Sequence, residues 1–273
     1  MKFKIGFSAE SEAEREENRI IRETETAPEP KKSVVEVYFP DRDRAYAYYN
    51  DRFDLKKGDL VYVDGKLEGL LGRVTEVNYN FKINLSYYKR VISFVDTKVN
   101  GRFFVENSKL VSFDPLSLPS KKVKNWFFPP KSDEDDFVSG YDDCKIYINE
   151  FETAGFSSEV CSSGVLCFAQ NRVVYLSVEN GRGYAIVKGY HTYEVEFEYE
   201  DGNIANLTCS CFCAGKCKHE FAVLLQLREL VKIIEKRYKN EFEKTGFFAA
   251  IDKNEMLKFT LCGNDKNSIV FNS

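Results

Sequence analysis

The chain of 273 residues is poor in the residue types that most soluble enzymes rely on: it has two histidines, one tryptophan and two methionines. Two imidazoles leave little material for a Ser-His or Cys-His nucleophile pair. No Gly-x-x-x-x-Gly-Lys-Ser/Thr loop occurs, since Gly65-Lys66-Leu67 lacks both the earlier glycine and the hydroxyl residue, so no ATP engine is expected. Apolar runs stay short of the roughly 20 residues that cross a bilayer. Met1-Lys2-Phe3-Lys4 leads into an acidic segment rather than an apolar signal core. The expectation is a cytoplasmic, non-enzymatic protein with no membrane partner and no small-molecule substrate. Positive charge is also scarce: the formal net charge is -4, and residues 141–273 carry 15 basic against 19 acidic side chains. No long-range positive field gathers nucleic acid around the whole molecule, and any such contact must be local.

What the chain does have is hydrophobic and aromatic. A hydrophobic fraction of 43% fills real cores, and 23 Phe with 16 Tyr favour strands over helical bundles. Eight cysteines without a signal peptide point to metal rather than to a disulfide framework.

The chain divides by composition. Residues 1–33 read as a short alternating peptide, Lys2-Phe3-Lys4-Ile5-Gly6-Phe7, on a charged flexible tether. Residues 34–114 read as short strands between turn residues, near Val35 to Phe39, Leu60 to Val63, Gly69 to Val77, Phe81 to Leu85, Lys89 to Val95 and Arg102 to Val105. Gly58-Asp59-Leu60-Val61-Tyr62-Val63 followed by Gly69-Leu70-Leu71-Gly72-Arg73-Val74 resembles the small-barrel repeat of SH3-like and KOW domains, which implies a small closed β-barrel. Residues 115–140 carry the Pro, Ser and charge of a linker, and residues 141–273 form a β-rich domain. The fold class expected is α+β.

The clearest local structure runs from His191 to His219. Tyr193, Val195, Phe197 and Tyr199 alternate with Glu194, Glu196, Glu198 and Glu200, as on a strand with one buried and one wet face. Asp201-Gly202 supplies the positive φ angles of a tight hairpin. The return strand carries Leu207, Cys209 and Cys211 on one side, because residues two apart in a strand point the same way. Cys217-Lys218-His219 follows a five-residue loop. Phe221, Leu224, Leu227, Val231, Ile234 and Tyr238 then recur at helical spacing, with Gly246 as a stop. Cys209, Cys211, Cys217 and His219 thus make a Cys₃His set without an open position, the structural class of Zn²⁺ site. Cys213 is the alternative to Cys211. Lys216 and Lys218 lie where they offset the charge of three thiolates.

Cys209-Ser210-Cys211, five residues, then Cys217-Lys218-His219 opening an apolar helix resembles the SWIM zinc-binding domain, over about residues 180–235. The resemblance implies a zinc-stabilised fold like that in bacterial Swi/Snf-type helicase-like ATPases, Mutator-like transposases and certain eukaryotic kinases, with DNA or protein as partner. The function expected is a non-catalytic zinc-binding adaptor that holds protein or nucleic acid beside a separately encoded ATPase. The alternative is a redox switch in which oxidation of Cys213 releases the metal. Candidate nucleic-acid contacts are Lys121, Lys122, Lys124 and Trp126 in the linker, and Arg228, Lys232 and Lys236 on one helix face. Packing of the linker aromatics against a neighbour, and a solvated helix face, are the competing readings of those two groups.

Overall fold

The computed structural model describes residues 30–130 and 145–272. The peptide at Lys2 to Phe7, most of the tether and residues 131–144 lie outside the described residues.

Two β-sheets organise the chain. The smaller has the order β2-β1-β4-β3-β5, built from β1 (Ser33–Phe39), β2 (Arg44–Asn50), β3 (Leu60–Val63), β4 (Gly72–Asn78) and β5 (Val91–Val95). Alternation places Val35, Val37 and Phe39 inside, and a turn at Lys56 to Asp59 feeds β3, with Gly58 at φ 100° and the Asp59 carboxylate accepting from the Lys56 amide at 2.7 Å. The expected closed barrel does not form. The outer strands β2 and β5 come together only at a single bridge, Tyr49 to Arg90 just ahead of β5, and the segment expected as a strand at Phe81 to Leu85 is loop that enters a 3₁₀ turn at Leu85–Tyr87. That loop carries no strand ladder to close the gap.

The larger sheet has nine strands in the order β14-β6-β7-β13-β9-β10-β11-β12-β8. Its members are β6 (Asn100–Glu106), β7 (Lys109–Ser112), β8 (Ile146–Tyr147), β9 (Val173–Glu179), β10 (Arg182–Lys188), β11 (Thr192–Glu200), β12 (Asn203–Cys209), β13 (Phe247–Asp252) and β14 (Ser268–Asn272). All pairings are antiparallel except β14 with β6. The strand expected at Arg102 to Val105 in the barrel therefore belongs to this sheet, because its partners are β7 and β14.

Both faces of the larger sheet are covered, which is why β9 and β13 read as continuous apolar runs. Val173, Leu176 and Val178 face α2 (Ser158–Ala169) and α3 (Lys218–Arg237). Val174 and Tyr175 face the opposite core, shared with α1 (Ser120–Phe127), α5 (Lys253–Cys262) and the small sheet. Strand β3 serves both: Leu60 and Tyr62 point into that shared core, Val61 and Val63 into the small sheet's own. Residues 120–127, expected as linker, are the amphipathic helix α1, held by buried Val123 and Trp126. The apolar helix expected from Phe221 to Gly246 breaks at Tyr238, whose ring sits 4.6 Å from that of Phe104 and whose hydroxyl donates to Glu106 at 2.6 Å. It resumes as α4 (Lys239–Thr245), which ends at Gly246 with φ 61°, the left-handed cap glycine tolerates.

Candidate metal centre

Hairpin and helix deliver the donors. Strands β11 and β12 pair from Glu200 with Asn203 to Val195 with Cys209, around an Asp201-Gly202 turn with φ 47° and 80°. Ladder contacts continue one step beyond β12: the Ser210 amide donates to Glu194 O, and the Glu194 amide donates to Ser210 Oγ, both at 2.9 Å. This fixes Cys209 at the strand end and Cys211 in the turn that follows. Cys217 and His219 come from the start of α3. Cys217 occupies the N-cap, its sulfur accepting from the Glu220 amide at 3.5 Å while Glu220 Oε2 accepts from the Cys217 amide at 2.8 Å. This is a capping box with sulfur in the place of a hydroxyl. The Cys217-x-x-Glu220 spacing carries that signal in the sequence, and the motif reading passed over it.

The donor atoms of Cys209, Cys211, Cys217 and His219 all lie within 4.8 Å of one another. His219 Nδ1 stands 3.7 Å from Cys209 Sγ and 3.9 Å from Cys217 Sγ. A tetrahedron with Zn–S and Zn–N bonds of ordinary length has edges of about 3.6 to 3.8 Å, so the set fits a metal of that size with little movement. The cysteines are free thiols. Hydrogen bonding from Cys209 holds the Cys217 thiol well below the usual range. The same bond drives the Cys209 thiol up, with burial acting in the same direction. Burial raises that of Cys211. The sulfurs thus share protons that a divalent cation displaces.

The surroundings orient the imidazole. Tyr193 stacks on it with centroids 4.3 Å apart and planes 24° from parallel. A Cβ on Gly189 would lie 3.7 Å from His219 Nε2. His191, given no role from sequence, is exposed with its ring between those of Tyr190 and Tyr193. Cys213 is exposed. Lys216, expected beside the thiolates, instead donates to Ala154 O and lies 5.3 Å from the Phe156 ring centroid.

The other candidates are dispersed. Trp126 is 1% exposed and donates from Nε1 to Asp96 O at 2.7 Å, so its ring has no free face for a base. Lys122 pairs with Asp96 at 2.9 Å, and Lys124 pairs with Glu194. Of that group, Lys121 alone is exposed and outside such pairs among the described residues. Glu194, expected on the wet face of its strand, is buried because α1 covers it, and Tyr184 donates to it at 2.9 Å. Arg228 pairs with Glu152 at 2.5 Å and lies over the Phe151 ring. Arg228 and Lys232 border a cleft of about 1070 Å³ that Glu198, Glu200, Asp201 and Glu235 also line. Lys236 is exposed. Neither basic group forms a continuous positive surface.

No family model, curated protein or solved structure matches this chain.

Proposed function

We propose that the chain is a non-catalytic zinc-binding interaction module of SWIM type, with Cys209, Cys211, Cys217 and His219 as the ligands. The observation that carries this reading is the convergence of three thiols and one imidazole, from two separate elements, within 4.8 Å. A Cys₃His set leaves no coordination position for water or substrate, which favours a structural ion over a catalytic one. The ion would lock the β11–β12 hairpin onto the first turn of α3. Metal analysis of the purified chain is expected to give one zinc per chain, and Cys217→Ser to lose most of it. A metal-free chain with an unchanged fold would overturn the assignment.

The role built on that module is an adaptor that holds a protein or nucleic acid beside an ATPase encoded elsewhere. Scattered cations and net acidity favour a protein partner. Titration against single- and double-stranded DNA at two salt concentrations tests this, since phosphate contacts weaken steeply with salt. Tight, salt-sensitive binding would reverse the preference.

A second reading rests on Cys213, exposed two residues from the half-buried ligand Cys211. Peroxide would oxidise the Cys213 thiolate to a sulfenic acid, releasing hydroxide. The Cys211 sulfur would then displace hydroxide from that sulfur to form a disulfide, and the metal would lose a ligand. Zinc release by peroxide that Cys213→Ser prevents supports the switch. Release at equal rate in that variant removes it.

A further inference from the structure

Sheet edges are normally protected against pairing with another chain, by charge, by bulges, by shortness or by cover. The large sheet obeys that rule at one end and breaks it at the other. One end of the large sheet stops in the two-residue β8, and the exposed stretch of β12 beyond it is broken by a register shift, with Asn206 at φ 50°. The other end is β14, Ser268-Ile269-Val270-Phe271-Asn272. It has no charge, no proline and no register shift in its five pairs with β6.

We propose that β14 is a dimerisation edge, pairing antiparallel with β14 of a second copy of this chain about a two-fold axis at Val270. The strand is palindromic in polarity, as a two-fold axis requires: polar Ser268 and Asn272 flank three apolar residues. In this register Ile269 meets the partner copy's Phe271, an aliphatic–aromatic pair of the kind that stabilises sheets, and Val270 meets itself.

The main chain agrees with that register. The Ser268 amide donates to Val99 O, on the β6 side. In a regular parallel pair the even-numbered residues therefore bond inward, and Ile269 and Phe271 turn their N–H and C=O outward. Those two residues form the hydrogen-bonded pairs of the antiparallel junction, and Val270 becomes the close, non-bonded pair at its centre.

The side chains agree as well. Val270 and Phe271 are 56% and 53% exposed. Pairing two copies shields Val270 on one face and Phe271 on the other, and continues one sheet across both subunits. The metal centre plays no part in this contact, so the two assignments stand or fall separately.

Sedimentation of the full chain tests the proposal, the monomer mass being 31.5 kDa. The expected result is a dimer at micromolar concentration whose dissociation constant rises at least tenfold in Val270→Lys, a change at an exposed edge position, with an unaltered thermal melt. If that variant also melts early, Val270→Cys decides. The close pair at the axis would give a symmetric intermolecular disulfide under mild oxidant, and Leu116→Cys, exposed elsewhere, would not. A monomer at about 100 μM, a dimer indifferent to the lysine, or equal cross-linking of both cysteine variants would overturn it. Dimerisation unaffected by chelator is also expected.

Discussion

Lys109 is the clearest case of a single side chain set against its surroundings. Its amine is 4% exposed, donates to Val173 O at 2.5 Å and has Asp252 Oδ2 at 4.0 Å. Burial lowers its pKa from 10.5 to about 8, with Asp252 opposing. Between those two values the unfolded chain holds more protons than the folded one. Stability from this group therefore rises with pH from about 8 to about 10.5 and stays at its lower level below 8. The span amounts to about 3 kcal/mol. Denaturant melts of Lys109→Met at pH 7 and pH 10 are expected to lose that pH dependence relative to wild type, and to lie below wild type at pH 10, where Val173 O loses its donor. Lysine in an alternating strand reads as solvated, so no local signal announced this burial. Trp126 and Glu194 misled for the same reason. A side chain's partner across the fold, here Asp96 O for the indole and α1 for the carboxylate, has no mark in the neighbouring sequence.

At the scale of elements, the packing of α2 against α3 hangs on Gly164. A Cβ there would fall 2.7 Å from Phe221 Cδ1 and 2.8 Å from Phe221 Cβ. Phe221 is wedged between Phe151 and Phe156, with centroids 5.2 and 5.1 Å away, and has no free direction to yield. Gly164→Ala is expected to cost about 1–3 kcal/mol in chemical denaturation despite alanine's better helix propensity. A gain in stability would show that the helices are not in this contact. Because Phe221 lies two residues past His219, the same variant is expected to weaken zinc retention in a chelator competition. The hairpin at Asp201-Gly202, the clustering of Cys209, Cys211, Cys217 and His219 and the helix start were legible because each is set by contacts close in sequence. The break at Tyr238 was not, since the tyrosine fits the helical repeat and is drawn off it by Phe104, Phe113 and Glu106.

For the whole molecule, the sheet order defeats a reading by segments. Strands β6 and β7 follow the small sheet in the chain yet pair with β13 and β14 near the other end. Short strands say where a sheet passes and not which sheet it joins, since register and partner are decided by distant apolar faces. Metal removal is expected to act locally within this architecture. Exchange protection should fall for residues 209–220 and the first turn of α3, while β9, β10 and β13, buried on both faces, keep theirs. Uniform loss of protection would mean that the ion holds the entire fold.

The lone indole sits in the layer between the two sheets, 5.0 Å from the Phe259 ring, with α1 carrying it and the larger sheet separating it from α3. Intrinsic fluorescence excited at the red edge is thus a spectroscopic reporter for one side of this protein only. That side is tied to the Cys/His cluster through the Lys124–Glu194 pair and the Glu194–Ser210 bonds, so any change of emission on chelation would report movement passed along that link.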